Sequence, residues 1–390
     1  MKLLILCGEY PPKSGGVSDY TFFLANELFK NHNVCVTVIT GEGGQQNNSG
    51  ITVVPFVRSW NIPTTILLIS RFIRTNRFDL VNLQYVPQLY GRTGICPGII
   101  LLLIIIKLWF RLPIVATCHE LYGHFNTNLL NNCLQIIYRI QLYLLLIFST
   151  SIIVPTEGYK RKIKGVLNIL RTPLYQIPVG SNIPVYVSNE ENRLIMRKQL
   201  ISKDHFLMGI FGRWHSWANY ELAFRTLRGL LDRGRHVSLL CIGELGGTKG
   251  VKEPLMEVVK ELGLENDVIF TGYLSNEDVS RYLNILDLYL FTREEGPTSR
   301  NTTLIAAMAH GVPIISTMGI EPDNIFLQSN AMLFIKSSQL HELPGLIERV
   351  IDNPSLQGEL RSKARSLFEK EFSWGKIAKR TLLVLNRGVA

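Results

Sequence analysis

Ile177-Pro178-Val179-Gly180-Ser181-Asn182-Ile183-Pro184 decides how this chain is divided. Prolines, a glycine, a serine and an asparagine crowd into eight residues, which is the composition of a connection. Before it, residues 3–6, 34–39, 53–56, 80–83, 114–117 and 152–154 are short apolar runs suited to strands. Most are separated by segments with helical periodicity, such as 20–29 and 64–74. After it comes a charged helical segment at 190–200, and then the alternation restarts. The new strand runs are 206–211, 237–242, 268–270, 288–291, 313–316 and 332–335. Strands alternating with helices imply βαβ units and parallel sheets. The expected fold class is therefore α/β, with two doubly wound, Rossmann-like domains at 1–185 and 186–370 and a final helical stretch at 371–390. Ligands bind such sheets outside the carboxyl ends of the strands, so two of them are expected to face each other across a cleft.

Length and composition agree with two cores. The chain has 390 residues, 46% of them hydrophobic, and is longer than single cores usually grow. No low-complexity run or solenoid-period repeat is present. The cysteines are Cys7, Cys35, Cys96, Cys118, Cys133 and Cys241. None forms a CxxC pair or stands near histidines at zinc-finger spacing, so reduced thiols in a cytoplasmic protein are expected, with no metal site. The opening apolar run is cut short by Gly8-Glu9 and reads as a strand rather than a secretory segment.

The net charge of +10 favours anionic partners. Nucleic acid is not expected, because no helix-turn-helix, zinc-knuckle or RNP-like signature occurs. Lys160-Arg161-Lys162 with Lys164 is the densest basic cluster and reads as a solvated helix face. Residues 99–106 and 134–153 are strongly apolar, but Lys107 ends the first while Arg139 and Gln141 interrupt the second. A spanning helix needs about 20 mostly apolar residues with few charges. Both are expected to be buried or interfacial helices, with peripheral contact to an anionic inner leaflet as the second reading.

Several segments carry chemistry. Glu9-Tyr10-Pro11-Pro12-Lys13-Ser14-Gly15-Gly16-Val17-Ser18-Asp19-Tyr20 leaves the first strand and opens a helix. Gly15 and Gly16 either make a simple turn or let backbone approach a ligand, and a helix N-terminus suits an anion. This is not GxGxxG, so a dinucleotide fold is not indicated. His119, in Thr117-Cys118-His119-Glu120 at a strand end, reads either as a structural histidine or as a hydrogen-bond donor or acid/base. Arg213, in Phe211-Gly212-Arg213, offers a planar fork for phosphate or a surface salt bridge. Glu294-Glu295-Gly296-Pro297-Thr298-Ser299-Arg300-Asn301-Thr302-Thr303 feeds a helix rich in small apolar residues. A polar loop entering a helix in this way seats a diphosphate well. Gln84-Tyr85-Val86-Pro87-Gln88-Leu89-Tyr90-Gly91 follows another strand end, and its polar and aromatic side chains suit either a sugar platform or simple loop packing.

These residues resemble family 4 glycosyltransferases of the GT-B fold. The first loop carries the resemblance through Glu9-Tyr10-Pro11-Pro12, Gly15-Gly16-Val17 and Asp19-Tyr20. Pro178-Val179-Gly180-Ser181-Asn182, Thr271-Gly272-Tyr273-Leu274, Asp287 and Ala307-Met308-Ala309-His310-Gly311-Val312-Pro313 follow in the family's order. Gln84–Gly91 is similar to a loop of some polysaccharide-assembly members. The resemblance implies transfer of a sugar from a UDP- or GDP-sugar, with retention, and no obligatory metal or other cofactor. The implied acceptor is a saccharide or lipid-linked saccharide in surface polysaccharide or glycolipid synthesis. It implies that Gly15 and Gly16 lie near the donor phosphates or the acceptor, His119 contacts the transferring sugar and Arg213 the diphosphate. Tyr273 and Leu274 would flank the base, and Glu295 would bind sugar hydroxyls. Phe372-Ser373-Trp374 onward is similar to the segment that crosses back to the first domain.

Two positions depart from the family pattern. Ala218 stands where a lysine is usual, and Ala306 where a second glutamate is usual, with Glu295 eleven residues earlier. Arg300 is the expected replacement cation beside Arg213, and Asn301, Thr302 or Thr303 the expected ribose contacts. A sugar-nucleotide epimerase of the same fold and a catalytically weak binding subunit of an assembly complex are the competing readings.

Overall fold

Met1–Asn182 and Trp374–Ala390 form one unit of a computed structural model, and Ile183–Ser373 form a second. The structure describes every residue except 46–49, 124, 188, 202–204, 213–219, 245–251 and 390.

Seven strands build the first sheet: β1 (Lys2–Cys7), β2 (Cys35–Gly41), β3 (Ile51–Val57), β4 (Leu80–Tyr85), β5 (Ile114–Cys118), β6 (Ser151–Val154) and β7 (Leu174–Gln176). All pairs are parallel, in the order β3-β2-β1-β4-β5-β6-β7. Leu3, Leu4, Ile5 and Leu6 are all fully buried, because helices cover both faces and leave no polar side to alternate with. The chain switches direction between β1 and β4, the place where such sheets open to ligands. One face packs on the helix Gly16–His32, which lies against the closing helix Trp374–Val389. The Trp374 indole donates to the Ser181 carbonyl at 2.8 Å, and Gly180 leaves the room its ring needs. β7 was absent from the sequence expectation; its three partly buried residues carry no periodic signal.

The opposite face carries Pro63–Asn76, Pro97–Leu108, Leu129–Phe148 and Glu157–Leu170. Leu129–Phe148 is long and apolar enough, by length and composition, to cross a membrane. It is packed along one side only. Leu142, Leu145 and Leu146 are buried, and Gln141 accepts from the Cys96 N–H at 2.6 Å while donating to the Gly94 carbonyl at 2.9 Å. Leu129, Leu130, Ile136, Ile140 and Ile147 are exposed. Full burial, one of the two expected states, is therefore not met: one side of the helix is packed and the other is exposed.

The second sheet holds β8 (Phe206–Phe211), β9 (Val237–Ile242), β10 (Val268–Phe270), β11 (Leu288–Phe291), β12 (Ile314–Thr317) and β13 (Leu333–Ile335). It is parallel throughout, ordered β10-β9-β8-β11-β12-β13, with its switch point between β8 and β11. The charged helix Glu190–Leu200 buries no residue. Its Arg197 ties it to the sheet through Asp287 at 2.5 Å and the carbonyls of Ile285 and His205 at 2.9 and 2.7 Å.

Candidate functional site

In the first unit, β4 and β5 run in register, with Asn82 beside Val115 and Gln84 beside Thr117. Asn82 and Gln84 are fully buried polar residues inside an apolar strand, and they bond to each other. The Asn82 amide nitrogen donates to the Val115 carbonyl at 2.9 Å and to the Thr117 hydroxyl at 3.1 Å. The Gln84 carbonyl oxygen lies 2.7 Å from Nε2 of His119, just past the end of β5. The His119 backbone N–H donates to the Tyr85 carbonyl at 3.0 Å. The edge of the Tyr20 system meets the imidazole at 4.6 Å between centroids. Burial pushes the His119 pKa down to about 4, so the ring is neutral at pH 7.

The first loop carries a charge that the glycine reading left out. The Glu9 carboxylate lies where a Gly15 side chain would stand, 2.2 Å from that Cβ position, and takes the Ser18 N–H. The N-terminus of helix Gly16–His32 therefore already faces a carboxylate of its own chain. Burial raises the Glu9 pKa, and burial also raises that of Asp19, which accepts from the Asn182 amide at 3.3 Å. Gly16 has open space around it.

For residues 84–91 the structure favours loop packing, one of the two expected alternatives. Tyr85 and Tyr90 are buried and stack at 6.4 Å, and the Tyr90 hydroxyl donates to the main-chain carbonyls of Leu6 and Gln84 at 3.0 and 2.8 Å. These rings pack the loop and present no sugar platform.

In the second unit, glycines close the strand ends. Gly212, Gly243 and Gly272 follow β8, β9 and β10 with φ of 137°, 116° and 70°, a region open to glycine. A side chain on Gly243 would strike the Gly212 carbonyl at 2.5 Å, and one on Gly212 would stand 3.1 Å from Thr303. Helix Thr302–Ala309 thus begins over the end of β8. Ala306, Ala307, Met308 and Ala309 are fully buried. Asn301 precedes this helix but does not cap it with its side chain. Its carbonyl oxygen instead accepts from the Thr298 N–H and hydroxyl at 2.6 and 2.7 Å. The first-turn N–H groups keep their partial positive charge.

The loop before that helix is laced to the next one. Ile320, Glu321 and Asp323 donate N–H groups to the carbonyls of Glu294, Glu295 and Pro297 at 3.0–3.1 Å. The buried Asp323 carboxylate accepts from the Ser299 N–H at 2.7 Å. Glu295 lies 3.7 Å from Arg293, whose side chain is 15% exposed and sits 5.5 Å over the Phe291 ring. Burial lowers the Arg293 pKa, and the charge of Arg300 acts in the same direction, so the two guanidinium groups share one neighbourhood. Arg300 is itself exposed.

Arg213 and Ala218 lie outside the described residues. Tyr273 is 78% exposed. Leu274 lines a cavity of about 740 Å³ with Tyr186, Arg193 and Tyr282, and that cavity includes neither Thr302 nor Thr303. Sequence reasoning missed Arg293 although the rule that singled out Arg213 applies to it, since both follow the switch-point strands. It missed Asn82 and Gln84 as a pair because the signal, two amides at i and i+2 in an apolar strand, lies along the core.

Two doubly wound parallel sheets in one chain are the GT-B architecture. The structure of HepE from Anabaena, in complex with UDP and glucose, is similar with a TM-score of 0.74 at 18% identity, covering 99% of this chain and 100% of that one. Sucrose-phosphate synthase from Thermosynechococcus elongatus gives 0.75 at 15%, covering 99% and 98%. In sequence, the 2-deoxystreptamine glucosyltransferase of Streptomyces kanamyceticus is 27% identical over 176 residues, 44% of this chain and 43% of that protein. The chain thus spans less than half the length of that relative. Residues 14–183 match the sequence model of Glycosyltransferase Family 4, and residues 191–367 that of Glycosyl transferases group 1. The chain belongs to the family 4 glycosyltransferases.

Proposed function

We propose that the chain transfers a sugar from a nucleoside-diphosphate sugar, carrying UDP or GDP, to a saccharide or lipid-linked acceptor with retention at the anomeric carbon. The observation that carries this is the strand-end wall of the second unit, where positive-φ glycines and an uncapped helix N-terminus gather. Backbone N–H groups without obstructing side chains suit a diphosphate. Arg293 and Arg300 add two cations beside it. In the reaction the bond from the anomeric carbon to the diphosphate breaks, and the acceptor oxygen bonds to that carbon on the same face. The acceptor proton passes to the departing phosphate oxygen. Stabilising that leaving group with fixed dipoles and cations lowers the barrier without a metal.

The first unit takes the acceptor side in this reading. The Glu9 carboxylate at its helix N-terminus repels a phosphate and welcomes hydroxyls. HepE was crystallised with UDP and UDP-glucose, which supports a nucleotide-sugar donor here. Incubation with a panel of labelled sugar nucleotides and saccharide acceptors tests the proposal. Transfer with an unchanged anomeric configuration is expected. Isomerisation of the donor, or neither reaction, would refute it.

The work fits surface polysaccharide or glycolipid assembly at a membrane surface. The exposed leucines and isoleucines of Leu129–Phe148, on a chain of charge +10, suit an anionic leaflet, with the protein peripheral on its cytoplasmic side. Flotation with anionic liposomes tests this; the protein should rise with the vesicles, and failure to do so sinks the membrane reading.

A further inference from the structure

Hydrogen-bond polarity propagates from the buried end of the Asn82–Gln84–His119 chain. The Val115 carbonyl can only accept, so the Asn82 atom facing it is the amide nitrogen. Oδ1 of Asn82 then faces Gln84 and can only accept, so the Gln84 nitrogen faces it. The remaining Gln84 oxygen meets Nε2 of His119 and can only accept as well. Nε2 must therefore carry the hydrogen. Since the ring is neutral, Nδ1 carries a lone pair. Among the described residues Nδ1 has no hydrogen-bond partner, and it is not among the sealed polar atoms of the protein.

We infer that Asn82 and Gln84 are positioning residues that lock His119 as the Nε2–H tautomer, so that its open Nδ1 accepts a hydrogen bond from a sugar hydroxyl. This rests on the reading of His119 as a sugar contact. It also assigns the contact a chemistry: an acceptor selects an O–H group, and a neutral ring gives no charge to a phosphate. His310 is an internal contrast. Its Nδ1 lies 2.7 Å from the Ala306 carbonyl and its Nε2 2.7 Å from the Ser280 hydroxyl, so the same reasoning makes it the Nδ1–H tautomer with both nitrogens satisfied. A structural histidine fills both positions, whereas among the described residues nothing fills the second position of His119.

Two-bond ¹⁵N–¹H spectra of the ¹⁵N-histidine-labelled full chain at pH 7 test the inference, with His119→Gln and His310→Gln assigning the two rings. His119 should show the Nε2–H pattern and His310 the Nδ1–H pattern. An Nδ1–H or doubly protonated His119 in the parent protein overturns the lock, and this needs no variant to fold. Gln84→Met, which removes the acceptor at similar volume, should give a mixture of tautomers; an unchanged pattern in folded protein overturns the role of Gln84. Gln84→Glu should move His119 toward the doubly protonated form.

The sugar-nucleotide panel, screened by thermal shift, supplies the ligand arm. The sugar nucleotide with the largest shift should move the His119 Nδ1 resonance, and its nucleoside diphosphate should leave it in place. Equal movement by both overturns the hydroxyl assignment. A panel with no binder overturns the transferase proposal and, with it, the hydroxyl assignment, while the tautomer result still decides the lock.

Discussion

At the switch point of the first sheet the polar groups reaching the strand ends are side chains: Asn82, Gln84, Thr117 and His119, joined in a line beneath β4 and β5. At the switch point of the second sheet they are backbone: glycines at 212, 243 and 272, and the first turn of helix Thr302–Ala309. Buried amides fix direction, since each must donate at one end and accept at the other. Glycine turns and helix ends offer N–H groups to an anion with nothing in the way. In the proposed reading, one unit reads the orientation of hydroxyls and the other holds charge.

The largest expected effect tests the backbone side. Gly319 has φ of 66°, and an added Cβ would stand 2.0 Å from the Gly296 nitrogen. Gly319→Ala should cost about 3 kcal/mol of stability through strain and overlap, read as the urea midpoint. A near-neutral result would mean the lacing of residues 293–297 to 318–323 is loose.

Next comes the cation. Arg293→Ala should weaken binding of the donor's nucleoside diphosphate by about 1.5–3 kcal/mol, measured by calorimetry, if a charge-assisted contact is lost. Arg300→Ala should have a smaller effect, because Arg300 is exposed and solvent screens it. The reverse order would return the role of the missing lysine to the loop arginine.

Acid should reveal both histidines. Burial takes His119 and His310 from 6.5 to about 4 in the folded chain. Between those values the unfolded chain binds more protons, so the stability they contribute is complete above about 6.5 and lost as pH falls toward 4. Glu9 and Asp19 act in the opposite sense, since burial raises their pKa values and protonation relieves them. Folded His119→Gln and His310→Gln variants should each lose less stability than the parent from pH 6.5 to 4. Parallel curves would show that neither ring is held neutral.

The smallest effect is at Gly16, where no atom lies within 4 Å of an added Cβ. Gly16→Ala should change stability by no more than about 0.5 kcal/mol. A large loss of turnover with stability unchanged would identify a ligand that passes over Gly16.

Much of the fold was legible because apolar runs and helical periods repeat along a parallel sheet. The turn-rich octapeptide lies where the two units part, between Asn182 and Ile183. β7 was not legible, since three partly buried residues carry no period. Tyr85 and Tyr90 stayed open between platform and packing, because an aromatic in a strand-end loop has the same spelling whether it faces a ligand or the core.

The candidate site was legible in outline. His119 and the loop into Thr302 were visible as polar residues at strand ends, which a local pattern can show. Gly15 was visible too, but the Glu9 carboxylate beside it was not, since the chain must turn to bring them together.

By itself the sequence determined the α/β class, the two sheets and the family, all of which rest on order and spacing along the chain. Only the tertiary structure decided which partner meets Nε2 of His119, from which its tautomer is inferred, and that Arg293 lies 3.7 Å from Glu295 and feels the charge of Arg300. The tautomer depends on hydrogen bonds between strands 33 and 35 residues apart, and the arginine cluster on the folding of one loop against another. Periodicity specifies which face of an element is buried; it does not specify which atoms of two elements meet there.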